Sequence, residues 1–388
     1  MVKKTRKICV VTGSRAEYGL LRFLIDMIEK SDELELILIV TGMHLSYEFG
    51  LTISDIENDG HLVSDKVEML LSSDTKSSIC KSIGLGLIGF SDKLNFHKPD
   101  LLVILGDRYE IFAAAISALI SCIPIAHIHG GESTEGAIDE SIRHSITKMS
   151  NLHFVATKKY AERVIQLGES PQNVFNVGGL GLDNINTMRF LSKNKLQSLL
   201  NFEFGSKNLI ITFHPVTLEF NSGRNQMKEL LDALYELEDI NLIFTMPNSD
   251  ANGRIIMEMI EEFCKKRNNA KSYKSLGQSK YLSCLKYVDG VVGNSSSGLI
   301  EAPSFNKATI NIGDRQKGRL KAKSIIDCSP DKISIINAIN KIYSKDFQKK
   351  LKNLINPYGD GGASESIVKI ISEIKLDGII KKKFHDIF

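Results

Sequence analysis

Residues 288–319 read VDGVVGNSSSGLIEAPSFNKATINIGDRQKGR. The apolar run Val288–Val292, interrupted only by Asp289 and Gly290, has the make-up of a short buried strand and stops at Gly293 and Asn294. Three serines open a helix from Gly298 onward, and a second apolar run, Ala308–Ile312, supplies the next strand. Strand, helix and strand in so short a span is the unit of an α/β sheet. A helix start leaves backbone N–H groups unpaired and favours negative charge, so Ser295, Ser296 and Ser297 there would hold an anion. Asn294 or one of the serines equally serves as an ordinary helix cap. Glu301, on the same helix, is placed to accept from ribose hydroxyls. Arg315, Lys317 and Arg319 follow the second strand, and their clustering tilts the reading toward a nucleotide diphosphate.

The same alternation continues on both sides. Toward the N-terminus, Lys7–Val11 reads as a buried strand, followed by the loop TGSRAEYG and a helix through Ile28. The loop lacks the middle glycine of GxGxxG, so NAD and FAD are not inferred. Arg15 stands at a strand's carboxyl end, where open α/β sheets bind ligands, although a loop arginine is also often only a surface charge. Strands follow at Leu34–Val40, Asp100–Leu105, Ile125–Ile128, Leu152–Ala156 and Val174–Val177. Helical patterns lie near Tyr47–Asp59, Ser78–Phe96, Tyr109–Ser121, from Asp139, and at Lys159–Leu167. This is a doubly wound parallel pattern. It places Asp107 and Arg108 after one strand, and His129 and Glu132 after another. Asp139 and Arg143 share a helix face at i, i+4, a spacing that also fits an exposed ion pair.

The pattern loosens over Gly178–Asn201, which reads as a domain junction. A second series then runs through the strand LIITF, His214 and Pro215, a helix over Gln226–Leu237, the strand Leu242–Thr245, PNSDANG, and a helix over Arg254–Lys265. Pro215 keeps His214 extended at a strand end. The expected division is an N-terminal Rossmann-like domain over 1–185, a C-terminal one over 186–360, and a tail over 361–388 that packs back on the first. The tail's helix is expected over Glu365–Lys383.

With 388 residues the chain is long for one core, and a net charge of +3 gives no field for nucleic acid. Cys9, Cys80, Cys122, Cys264, Cys284 and Cys328 form no close pair and no zinc spacing, which suggests reduced thiols in the cytoplasm. No ligand set for a metal is evident. The run Ile8–Val11 is too short for a signal-peptide core, and nothing approaches a membrane span. Two such α/β halves would bring the carboxyl ends of both sheets to one cleft. There cations, helix-start amides, carboxylates and imidazoles suit acid–base chemistry at a bond to phosphate.

VTGSRAEYG, LGDRYEIFAAA, HIHGGE, DESIRHSITKMSNLHF, RVIQLGE, FNVGGLG, FHPVT, GNSSSGLIE and INIGDRQKGR, in order from Ile8 to Arg319, resemble the hydrolysing UDP-N-acetylglucosamine 2-epimerases of sialic and related nonulosonic acid synthesis. The resemblance implies two Rossmann-like domains of the glycosyltransferase B type facing a cleft, a homodimer or homotetramer, and no NAD or metal cofactor. It implies a UDP-linked N-acetylated amino sugar as substrate, with UDP and a free sugar inverted at C2, such as N-acetylmannosamine, as products. By resemblance Asp107 and Asp139 match catalytic acids, and His214 a catalytic or phosphate-contacting histidine. Arg15, Arg108, Asn248, Ser295, Ser296, Glu301 and Arg315 match nucleotide-contacting positions, and Arg143 joins the substrate-binding set. Several relatives carry glutamate where this chain has His129, so either Glu132 or His129 makes the second proton transfer. Open alternatives are a UDP-linked 2,4-diacetamido-2,4,6-trideoxyglucose or a GDP-linked amino sugar on the route to legionaminic acid, a non-hydrolysing epimerase, and a glycosyltransferase of the same fold.

Overall fold

Successive apolar runs closed by glycine or a polar turn build two separate parallel sheets. The computed structural model describes residues 5–135, 137–216, 222–248 and 253–387. Thr217 of FHPVT and 249–252 of PNSDANG lie outside them. The first sheet holds β1 (Arg6–Thr12), β2 (Leu34–Thr41), β3 (Asp65–Val67), β4 (Leu101–Leu105), β5 (Ile125–Ile128), β6 (Leu152–Val155) and β7 (Val174–Asn176), in the order β3-β2-β1-β4-β5-β6-β7. The second holds β8 (Asn208–Thr212), β9 (Asn241–Thr245), β10 (Ala270–Tyr273), β11 (Gly290–Gly293), β12 (Ala308–Ile312) and β13 (Ile325–Cys328), in the order β10-β9-β8-β11-β12-β13. All pairings are parallel, with Val10 opposite Leu38 and Val103, and Val292 opposite Ile211 and Ile310.

Helices cover both faces of each sheet, which is why the central strands are apolar throughout. Successive side chains of a strand point to opposite faces. Ile8 and Val10 accordingly pack with Leu21, Leu24 and Ile25, while Cys9 and Val11 pack with Phe90 and Ala113–Ala115. In the second sheet Leu209 and Ile211 join Met227 and Leu230, and Ile210 faces Leu196, Leu200 and Phe202.

The chain divides into two units. The first comprises Met1–Glu132, Asp139–Asn184 and Tyr358–Phe388, and the second Ser133–Ile138 and Ile185–Pro357. Three stretches depart from the sequence reading. The expected loosening over Gly178–Asn201 contains helices Gly181–Thr187 and Lys193–Leu200, the latter capped by Ser192. The helical pattern near Tyr47–Asp59 shortens to Ile53–Asn58. The tail helix spans Ala363–Glu373, and Gly378, at φ +76°, turns the chain beyond it. Among the described residues no helix is long and apolar enough to cross a membrane, and none of the six cysteines is paired.

Candidate functional site

Each sheet has one point where strand order reverses, β1/β4 in the first and β8/β11 in the second. Loops leaving such neighbouring strands diverge and open a crevice at their carboxyl ends. The residues singled out by sequence gather at these two points and at the strand ends beside them.

In the first unit, the loop after β1 is built by a reciprocal cap. Ser14 Oγ accepts from Glu17 N at 3.4 Å, and Glu17 Oε2 accepts from Gly13 N at 2.8 Å and Ser14 N at 3.0 Å. Arg15 is the first residue of the helix Arg15–Glu29, half-buried. Burial draws its guanidinium down to about 10, opposed by the charge of Asp55. After β4, Arg108 turns back as a fork onto buried Glu110, with Nε to Oε2 at 3.2 Å and Nη2 to Oε1 at 3.1 Å. Burial, and then the charge of Glu110, push the carboxyl of Glu17 up to about 8, while Arg108 pulls the other way.

Arg143 is the hub beside β4 and β5. It is 2 % exposed, pairs with Asp107, donates through Nη1 to the His129 carbonyl at 2.9 Å, and stands 3.9 Å from Glu132 Oε2. The alternative of an exposed pair at that spacing does not fit Arg143, because the helix Asp139–Met149 turns it inward, where it pairs with Asp107 and approaches Glu132. Asp139 opens that helix, half-buried. His129, held at φ +66°, accepts at Nε2 from Leu180 N at 3.3 Å, and its Nδ1 lies 3.4 Å from Glu132 Oε1. An accepting Nε2 leaves the neutral ring's proton on Nδ1, facing Glu132. His127 of β5 donates from Nε2 to the Gly106 carbonyl at 2.8 Å and accepts at Nδ1 from Thr147 at 3.2 Å. Burial keeps it neutral, with its pKa drawn down to about 3, and so it holds the turn that presents Asp107.

In the second unit, Asn294 after β11 clamps His214 after β8. Its Oδ1 accepts from His214 N at 2.7 Å, and its Nδ2 donates to His214 O at 2.8 Å. His214 Nδ1 accepts from Asn248 N at 3.5 Å. The Asn294 carbonyl accepts from Arg315 Nη1 at 3.1 Å and Gln316 Nε2 at 2.8 Å. Ser295 and Ser296 are half-buried, and among the described residues their hydroxyls have no hydrogen-bond partner; Ser296 occupies the helix N-cap without a side-chain cap bond. Ser297 is engaged by Tyr281 Oη at 2.6 Å.

Three expectations change here. The helix after the serines is one turn, Ser297–Ile300, because Pro303 interrupts it, so Glu301 follows the helix rather than riding on it. An anion at this turn would be met by hydroxyls and Arg315, with little help from a helix dipole. The cation cluster also divides: Arg315 stays beside Asn294, whereas Arg319 donates to Ser133 O at 3.0 Å and Lys317 approaches Glu135 at 3.8 Å. Thirdly, carboxylates and an imidazole distant in sequence, Asp26, Glu29 and His61, come within 4.8 Å of one another. The two carboxylates approach opposite ring nitrogens of His61, Glu29 at 3.0 Å from Nδ1 and Asp26 at 3.5 Å from Nε2.

Sequence reasoning passed over Glu17, Glu110 and Gln316. Glu17 had a readable signal, since it stands three residues after Ser14 ahead of an apolar run. Gln316 is fully buried beside Asn294, and only the fold discloses that.

A profile of the UDP-N-acetylglucosamine 2-epimerase family matches residues 26–372. A GDP/UDP-N,N'-diacetylbacillosamine 2-epimerase (hydrolyzing) of Campylobacter jejuni is 44% identical over 98% of this chain and 99% of its own. The polysialic acid biosynthesis protein P7 of Escherichia coli is 41% identical over 98% of each chain. Among solved structures, the UDP-GlcNAc 2-epimerase of Neisseria meningitidis bound to UDP-GlcNAc superposes with a TM-score of 0.80 at 18% identity, over 94% of this chain and 99% of that one. At that identity the likeness carries the fold, two doubly wound α/β units of the glycosyltransferase B type.

Proposed function

The chain belongs to the UDP-N-acetylglucosamine 2-epimerase family, and on that premise we propose that it is a hydrolysing 2-epimerase, releasing UDP from a UDP-linked 2-acetamido sugar and freeing the sugar inverted at C2. The observation that carries this reading is the assembly of half-buried Asp107 with buried Glu132 and His129 on Arg143. A pure nucleotide binder has no use for carboxylates grouped so closely.

The chemistry sets an order. A C2 proton beside an anomeric carbon is not acidic, so departure of UDP leads or accompanies its removal, and positive character at C1 then makes the C2 proton removable by a carboxylate. The product of that step is a glycal, to which water adds with protonation at C2 from the opposite face. Arg315 and the Ser295 and Ser296 hydroxyls would receive the departing phosphate; one such preorganised donor contributes on the order of 3 kcal/mol. His214, Asn248 and Glu301 complete the nucleotide side, and Arg15 and Arg108 the cations of the first unit. Asp107 and Asp139 serve as proton-transferring acids. Between His129 and Glu132, the second transfer falls to Glu132, because both ring nitrogens of His129 already face partners.

For the sugar, we place a 2,4-diacetamido-2,4,6-trideoxy sugar first, following the name of the relative at 44% identity. UDP-N-acetylglucosamine, which the sequence resemblance implies, is the second reading. Proton NMR in deuterated water, with each UDP sugar alone, decides both points. The expected result is UDP and a free 2-epimer carrying deuterium at C2, faster from the diacetamido sugar. A deuterated UDP sugar without free UDP would make the enzyme non-hydrolysing, and silence with both substrates would overturn the assignment.

A further inference from the structure

Of the three cations that the sequence groups for phosphate, two are spent on one short span of chain. Arg319 Nε donates to the Ser133 carbonyl at 3.0 Å, and Nη2 to Thr134 Oγ1 at 3.4 Å. Gly318, at φ +84°, is so close that a Cβ there would fall 2.7 Å from Ser133 Oγ. Ser133 and Thr134 are 3 % and 2 % exposed, and Ala137 N closes a turn on Thr134 O at 3.0 Å. This span, Ser133–Ile138, belongs to the second unit with Arg319, yet the residues bonded to its two ends, Glu132 and Asp139, belong to the first. A peptide link fixes consecutive Cα atoms about 3.8 Å apart, so where Ser133 is held decides where Glu132 can stand.

We infer that Arg319 is a positioning residue: by gripping Ser133 and Thr134 it sets the stance of the proton-transferring Glu132, one peptide link away. Arg315, in the same run of turns, meets the nucleotide's phosphates. The inference rests on the proposed hydrolysing epimerisation. A guanidinium is required because its planar fork reaches a carbonyl and a hydroxyl together, which an ammonium does not reproduce.

The test compares the wild type with Arg319→Met, Arg319→Lys and Thr134→Val. UDP affinity is measured by calorimetry, kcat by UDP release, and free glycal by NMR. UDP binding also reports that the second unit is folded. For both Arg319 variants the expected result is kcat lower by about 100-fold with UDP affinity within about twofold of wild type, since small displacements of reacting groups cost that much. Glycal released before water adds should accompany the loss, because a displaced acid fails at C2 protonation after UDP has left. Full activity in Arg319→Lys, or UDP affinity falling in step with kcat/KM, would make Arg319 an ordinary phosphate cation and overturn the inference. So would an unchanged kcat. If Arg319→Met does not fold, Thr134→Val decides, with a smaller fall in kcat and glycal release expected, and a wild-type profile overturning it. Wild-type enzyme that frees no UDP from any UDP sugar would instead refute the proposed function.

Discussion

Arg143 illustrates how much the surroundings of a residue decide. Its i, i+4 spacing from Asp139 suggested an exposed pair worth a few tenths of a kcal/mol. Itself buried, it pairs with half-buried Asp107 and stands beside Glu132, a carboxylate with almost no access to water. Arg143→Met should therefore cost about 3–5 kcal/mol, since it strands buried charge. A urea titration checks this, and a loss below about 0.5 kcal/mol would return the residue to the exposed-pair reading. Glu17 gives a pH signature. Its folded pKa, near 8, lies above the ordinary carboxylate value, so its contribution to stability is full at low pH and is lost as pH rises toward and through 8. Glu17→Gln can keep an oxygen for Gly13 N and Ser14 N without titrating. Wild-type stability should thus decline relative to the variant between about pH 5 and 9; a constant difference would show that Glu17 stays in one charge state. Motif spacing brought Asp107, His129, Glu132 and Arg143 to notice, but not that they share one hub. That sharing depends on β4 and β5 being neighbours, a tertiary fact with no local signature.

At the level of elements, the α/β class and most central strands were readable because strands buried on both faces are continuous apolar runs. The strands that escaped notice, β3, β10 and β13, are all sheet edges. Their sequences, DKV, AKSY and IIDC, carry charge or polarity because an edge strand is only partly covered. The serine turn was legible as a turn, but its helix length was not, since Pro303 lies far enough on to leave a longer helix plausible. What shapes that turn is Gly293. At φ +132° it carries β11 past β8 so closely that a Cβ would sit 1.9 Å from the Thr212 carbonyl. Gly293→Ala must separate the two strands whose ends bear Asn294 and His214, and should cost more than about 2 kcal/mol. It should also weaken UDP binding by at least about tenfold, as Ser295 and Arg315 move with Asn294. Calorimetric titration of the folded variant with UDP measures this, and wild-type affinity would remove the serine turn from the nucleotide's contacts.

On the scale of the whole molecule, the chain leaves the first unit after Asn184 and returns to it at Tyr358. The return is secured by a cap supplied from far away in sequence. Asp183 Oδ1 accepts from Gly362 N at 2.6 Å and Ala363 N at 3.0 Å, and its Oδ2 from Ser364 N at 2.7 Å. These are the cap and first-turn amides of the helix Ala363–Glu373, whose N-cap, Gly362, has no side chain to offer. Ile367 and Ile371 of that helix are fully buried with Leu21 and Leu24, so the last segment of the chain completes the first unit's core. Asp183→Asn leaves one oxygen and turns an amide toward N–H donors, losing about 3 kcal/mol of charge-assisted bonding. Because β8–β13 pack in cores of their own, the damage should be local. Hydrogen exchange should quicken over residues 362–374 and the helix Arg15–Glu29, while amides of the second sheet keep wild-type protection. Equal loss of protection in both sheets would mean that the two units unfold as one, and that the returning segment stabilises the molecule as a whole rather than the unit it re-enters.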